Sequence, residues 1–176
     1  MQKNLKDFDR KETIFLDANI FLHHAFDINP ISIEFLKRIE SFNFKVCTSA
    51  LVLEEISFKL LMQSASNLLE KVSVQNVKVL LKDDKKRNQI LKPVDNYMNY
   101  IELLKESGLV IIDLKGNDMI TALQKVKTYG IITADATHLA IMERRGINHI
   151  ATDDNDFNVV PDITIWSPQL ESTRNS

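Results

Sequence analysis

The sequence predicts an α/β fold in which a parallel β-sheet is covered by helices on both faces. Two observations carry this. Short, β-prone apolar runs recur at 13–16 (TIFL), 44–48 (FKVCT), 109–112 (LVII), 147–152 (INHIAT) and 163–166 (ITIW). Stretches with helical apolar spacing separate most of them, and alternating strands and helices favour parallel order. Five strands are therefore expected, in a single domain over 13–166. A charged lead-in (1–12) precedes it and a loose polar tail (167–176) follows it.

In chain order, Thr13–Leu16 is the first buried strand. A helix over about 19–28 follows, with Asn19 as its expected cap. Asn29-Pro30 opens a second helix, because proline suits the first helical position. After the strand at 44–48, residues 50–63 (ALVLEEISFKLLMQ) form a third helix with apolar positions at 52, 53, 56, 60 and 61. Residues 66–107 are read as an elongated helical insertion. VSVQNVKV alternates like a strand there, but no turn residue bounds it, so helix is preferred. Pro93 is expected to interrupt the insertion, with helix resuming over 94–106. Asn117 is the expected cap of a helix stopped by Gly130, and a last long helix runs from about 134 to 145, stopped by Gly146.

Composition narrows the function classes. The chain has 176 residues, 44% hydrophobic and 26% charged, with a net charge of −2. It is too apolar for disorder and has no global attraction to nucleic acid or anionic lipid. Cys47 is the single cysteine, so an internal disulfide and a thiolate metal cluster are both excluded. No apolar stretch approaches the roughly 20 residues of a membrane span, and a cytoplasmic location is the default expectation.

The acids are distributed unusually. Asp17 ends the first strand. Glu54 and Glu55 lie on the helix after the second, Asp135 sits in the first turn of the last long helix, and Asp153, Asp154 and Asp156 follow the fourth strand in ATDDNDF. In parallel sheets, ligands bind outside the carboxyl ends of the strands, so these groups share one address. Singly, each has an ordinary reading as a cap, a turn residue, a solvated helix face or a favourable charge at a helix N-terminus. Together they would repel one another, and hard divalent cations with oxygen-only ligands relieve that repulsion. His23, His24, His138 and His149 match no zinc spacing and are read as surface or packing residues. An EF-hand starting at Asp154 fails at Val159 and Ile165, and no phosphate-binding glycine loop or nucleophile elbow is present.

Four segments together resemble the PIN domain, a nuclease family that includes toxins of toxin–antitoxin pairs. They are IFLDANIF, TSALVLEEI, ITADATHLAI and IATDDNDF. The second has a serine and an acid six residues on, Ser49 and Glu55, which prefers Glu55 over Glu54. The resemblance runs from about 13 to 166 and implies a three-layer α/β/α sandwich with a five-stranded parallel sheet. Its departures are the long segment between Glu55 and Asp135 and the doublet Asp153-Asp154.

The resemblance implies a metal-dependent endoribonuclease acting on single-stranded RNA, either a toxin or an RNA-processing enzyme. Asp17, Glu55, Asp135 and Asp154 would be catalytic. With Asp156 they would hold one or two Mg²⁺ or Mn²⁺ ions, and Asn19 and Thr152 would support them. A homodimer and an antitoxin partner are further implications. Lys85, Lys86 and Arg87 form the densest basic cluster and are candidate phosphate contacts, with a solvated helix face as the alternative. Two rivals remain. A catalytically silent PIN-fold binding module would have little use for so many acids. A phosphoacceptor receiver domain would need an acid pair after the first strand and a lysine after the last, and neither is present.

Overall fold

A computed structural model describes residues 1–9, 11–41 and 44–169. Strands β1 (Gln2–Asn4), β2 (Ile14–Leu16), β3 (Val46–Ser49), β4 (Val110–Ile112), β5 (His149–Ala151) and β6 (Thr164–Ser167) form one sheet. Their order is β1-β6-β5-β2-β3-β4, and every pairing is parallel. Helices α1 (Ala18–Ala25), α2 (Pro30–Ser41), α3 (Ala50–Ser66), α4 (Val74–Leu80), α5 (Asp84–Glu106), α6 (Gly116–Tyr129) and α7 (Thr133–Arg145) complete a three-layer α/β/α architecture.

The central strand β2 is buried along its whole length, as expected for a strand covered on both faces. Ile14 is in register with Val46 on one side and His149 on the other. This places the carboxyl ends of β5, β2 and β3 next to one another, and most of the acids follow those three strands. The helices sort into two groups. One holds α1 against α2 and α3, with α5 on α3, and the other is the α6–α7 pair.

The sheet has six strands rather than the expected five. The polar lead-in supplies the extra one: Gln2–Asn4 pairs with Ile165–Ser167 at the sheet edge. Its pairing is a backbone matter, and its first two side chains are exposed, so no apolar run announces it. At the other end, Ser167 belongs to β6, while 170–176, most of the predicted loose tail, lie outside the described residues.

The segment 66–107 carries two helices, α4 and α5, after an irregular stretch over 67–73. VSVQNVKV supplies α4, and Val77 and Leu80 pack with Ala65 and Ile90 into a small satellite core. Pro93 does not interrupt. It lies on the exposed side within α5, and Ile90, Val94, Tyr97, Ile101 and Leu104 are buried around it. A mid-helix proline costs about 3 kcal/mol, and burial of those five side chains at about 1.5–3 kcal/mol each outweighs it.

Two expected caps are also replaced. Asp17, not Asn19, caps α1, accepting from the Ala18 N–H at 2.7 Å. Lys115 precedes α6, and its N–H donates to Asp118 at 2.8 Å, so Asn117 lies inside the helix. Asn29 does cap α2 ahead of Pro30, accepting from Ile31 and Ser32 at 3.0 Å.

Candidate active site

Asp17 stands where β2 ends and α1 begins, and its N–H still pairs with the Ala151 carbonyl of β5. Its two carboxylate oxygens are held differently. Oδ1 accepts from the Ala18 N–H, whereas Oδ2 accepts from Thr152 Oγ1 at 2.7 Å and Asn19 Nδ2 at 2.9 Å. Thr152 in turn accepts from Asn19 Nδ2 at 2.8 Å and from the Asp154 N–H at 3.0 Å. One hydroxyl thus uses its single donor and both acceptor positions to tie the β2 and β5 termini together. Asn19 and Thr152 therefore both hydrogen-bond to Asp17, although Asn19 is not the cap.

Asp135 enters from α7, whose N-terminus faces the carboxyl edge of the sheet because the helix runs back before β5. Carboxylate oxygens of Asp135, Asp154 and Asp156 lie within 4.8 Å of one another. A cleft of about 370 Å³ brings Asp135 and Asp154 together with Asp17, Asn19, Glu55 and Asp153. Glu55 is half-buried and turned into this cleft, whereas Glu54 is exposed.

The electrostatics follow from this crowding. Asp135 is 8% exposed, and its Oδ2 is buried with no hydrogen-bond partner. Burial first, then the negative charges of Asp154, Asp17, Asp156 and Glu55, push its carboxyl up to about 7. Burial also raises Asp17 above its ordinary value, opposed by nearby His138 and by the hydrogen bonds from Thr152 and Ala18. His138 is buried, tilted against the Phe15 ring, and burial lowers its pKa against the pull of Asp17 and Glu55.

The donor set fits a hard divalent cation. Every candidate ligand is a carboxylate oxygen, and the orphaned Oδ2 of Asp135 is a buried acceptor lacking a positive partner. The doublet also separates by geometry. Asp153 Oδ2 lies 3.0 Å from His23 Nε2, and His23 Nδ1 is 3.0 Å from Ser32 Oγ. Asp154 instead accepts the Asp156 N–H at 2.8 Å and keeps its carboxylate with Asp135.

Two participants were missed in the sequence. His23 was read as surface or packing, and nothing local links it to Asp153 across 130 residues. Lys59 sits in the cleft wall with Nζ 2.7 Å from Glu55. Its position four residues after Glu55 was a usable signal. The predicted basic cluster lies in the first turn of α5. Lys86 lies 4.0 Å from Asp83, and Arg87 lies 2.6 Å from Asp84 and donates to the Leu81 carbonyl. Neither they nor Lys85 line the cleft.

The sequence profile of the PIN domain matches residues 14–163, most of the chain. The chain belongs to the PIN domain family. Among solved structures, VapBC2 from Rickettsia felis, bound to a DNA fragment from its promoter, matches with a TM-score of 0.54 and 14% identity. That match covers 88% of this chain and 98% of the other. DNA-bound VapBC from Salmonella typhimurium gives 0.54 and 15%, covering 90% and 99%. Mycobacterium tuberculosis VapC20, a toxin that cleaves the Sarcin-Ricin loop, gives 0.53 and 15%, covering 85% and 96%. At these identities the likeness is one of fold. Comparison with curated proteins finds no significant match. Among the described residues of this PIN domain, no helix is long and apolar enough to cross a membrane.

Proposed function

We propose that this PIN domain is a metal-dependent endoribonuclease that hydrolyses phosphodiester bonds of single-stranded RNA. The observation that carries the reading is the buried, unpartnered Oδ2 of Asp135 amid four other carboxylates at the carboxyl edge of the sheet. Asp135, Asp154 and Asp156 would hold one Mg²⁺ or Mn²⁺, with Asp17 and Glu55 completing that site or a second one. Such a cation, when bound, lowers the pKa of the water it holds and offsets charge on the phosphate.

The chain's own residues supply placement. Thr152 and Asn19 fix the Asp17 carboxylate, and the Asp154 N–H bonded to Thr152 locks the 152–156 loop against it. His23 draws Asp153 aside. Lys59 places one positive charge on the cleft wall, where every other charged residue is an acid.

A toxin role is the biological form of this reading, supported by fold neighbours that include a toxin–antitoxin complex and a toxin that cleaves the Sarcin-Ricin loop. It carries with it an antitoxin partner and a cytoplasmic setting. A homodimer is part of the same proposal. Met119, Ile120 and Leu123 on α6 are exposed, with Leu114 and Ile132 at its ends, an apolar face suited to a second copy.

The test is cleavage of a labelled single-stranded RNA pool with Mn²⁺, Mg²⁺ or EDTA, comparing wild type with Asp17→Asn. Metal-dependent cutting that disappears in the variant is expected. Equal cutting by both proteins, or cutting undiminished in EDTA, would overturn the proposal.

A further inference from the structure

Beside the acidic cleft, a second groove of about 370 Å³ runs along α3, and Lys59 belongs to the walls of both. Its other walls are Phe26, Phe58, Met62, Gln63, Ser66 and Val72. Phe26 follows α1, the helix that Asp17 caps, and Phe58 lies one turn of α3 beyond Glu55. Both rings are open to solvent, Phe26 at 37% and Phe58 at 44%. Two accessible aromatic rings share this surface, Phe58 one turn of about 5.4 Å from Glu55, and the core contains neither of them.

Resting on the nuclease reading above, we propose that this groove is a stacking subsite for one unpaired nucleobase flanking the phosphate in the cleft. Three features select that occupant. Aromatic faces accept any base by stacking, the common means by which single strands are held. The Gln63 amide carries both donors and acceptors, suited to the edge of a base. Lys59 is the one cation among the residues lining either cavity, and it stands between them. Its ammonium has three donors, so it can keep Glu55 at 2.7 Å and still meet the phosphate that joins cleft to groove. A base-paired nucleotide cannot offer a free face here, so the subsite also accounts for a preference for single strands.

The probe is a 5′-fluorescein-labelled single-stranded RNA 12-mer, with versions carrying one abasic residue at successive positions. Binding is read by anisotropy in the Asp17→Asn background, which removes a negative charge and prevents turnover, and cleavage is read separately in the native background. Phe58→Ala should weaken binding by roughly tenfold and Phe58→Tyr should restore it. At one abasic position the Phe58→Ala effect should vanish. In cleavage, Phe58→Ala should raise KM with kcat nearly unchanged. Phe58→Trp keeps the ring and adds a reporter whose emission the RNA should quench, which also guards against misfolding of the alanine variant. Unchanged RNA binding by Phe58→Ala, or an equal Phe58→Ala penalty on every abasic version, would overturn the subsite. So would an effect confined to capture of an apolar helical peptide, which would make the groove a polypeptide site. Loss of cleavage in Asp17→Asn with no effect at Phe58 sinks the subsite alone, whereas RNA binding through Phe58 without any cleavage sinks the nuclease reading alone.

Discussion

Replacing Asp135 by asparagine should stabilise the metal-free protein while removing its response to divalent cations. The folded-state carboxyl titrates near 7, against an ordinary value of 3.8. A raised folded pKa means that the folded state holds the proton more tightly than the unfolded chain. The associated stability is complete below pH 3.8 and is lost as pH rises to about 7. The full gap corresponds to on the order of 4 kcal/mol. Because the repulsion is shared among several coupled acids, about 2 kcal/mol is the working expectation for one substitution. In a chain of this size that equals roughly 4–8 °C in Tm. Thermal melts in EDTA should therefore show Asp135→Asn above wild type at pH 8, with the difference shrinking towards pH 4.5. Adding Mn²⁺ at pH 8 should raise the wild-type Tm and leave the variant nearly unmoved. Equal melting temperatures at pH 8, or a variant destabilised at every pH, would refute the view that Asp135 is a buried acid held in want of a cation.

Three further substitutions probe the frame around the site. His23→Ala should release the Asp153 carboxylate from its 3.0 Å contact into the cleft it lines, so that Mn²⁺ binds more tightly in calorimetry, with the melting curve little changed in EDTA. Tyr97→Phe removes the hydroxyl that donates to the Phe21 carbonyl at 2.6 Å and lies 3.2 Å from His24 Nδ1, so both contacts are lost. A loss of about 1–2 kcal/mol is expected in urea denaturation. Arg144→Ala should lower Tm and speed amide exchange in α6 and α7, because Arg144 holds buried Asp118 through bonds of 2.7 and 2.9 Å. Those bonds keep the Asp118 carboxyl below its ordinary value, so this stability is present above pH 3.8 and disappears at lower pH, where variant and wild type should converge.

Much of this molecule is legible from its apolar runs, since strands buried on both faces need continuous hydrophobic sequence, and TIFL, FKVCT and LVII supply it. What escapes that reading is structure made by backbone pairing or by distant partners. Gln2–Asn4 becomes a strand because β6 offers it an open edge, not because its side chains call for one. Pro93 stays within α5 because the buried residues on either side belong to a single apolar face, a tertiary gain that local rules about proline do not contain. The site divides in the same way. Acids placed after strands can be read in one dimension, since the sheet rule gives them a common address. The different surroundings of Asp153 and Asp154 cannot, because Asp153 meets a histidine at the far end of the chain.

The contrast between Asp17 and Asp135 then explains how the site can be both built and strained. Asp17 receives three donors, from Ala18, Asn19 and Thr152, so its position is set by the fold whether or not a cation is present. Asp135 keeps one buried oxygen with no donor at all, so the folded protein leaves part of its own electrostatic repulsion unrelieved. A fold selected for stability alone would place a donor or an apolar side chain there. Holding one acid rigidly and leaving its neighbour short of a positive partner gives a site whose geometry is ready and whose charge is incomplete. On the proposed reading, cation binding would add stability to the folded state without having to organise it. On this view, Thr152→Val should damage the site differently from Asp135→Asn. It would loosen Asp17 and the 152–156 loop, lowering both stability and metal affinity together, whereas Asp135→Asn should move the two in opposite directions.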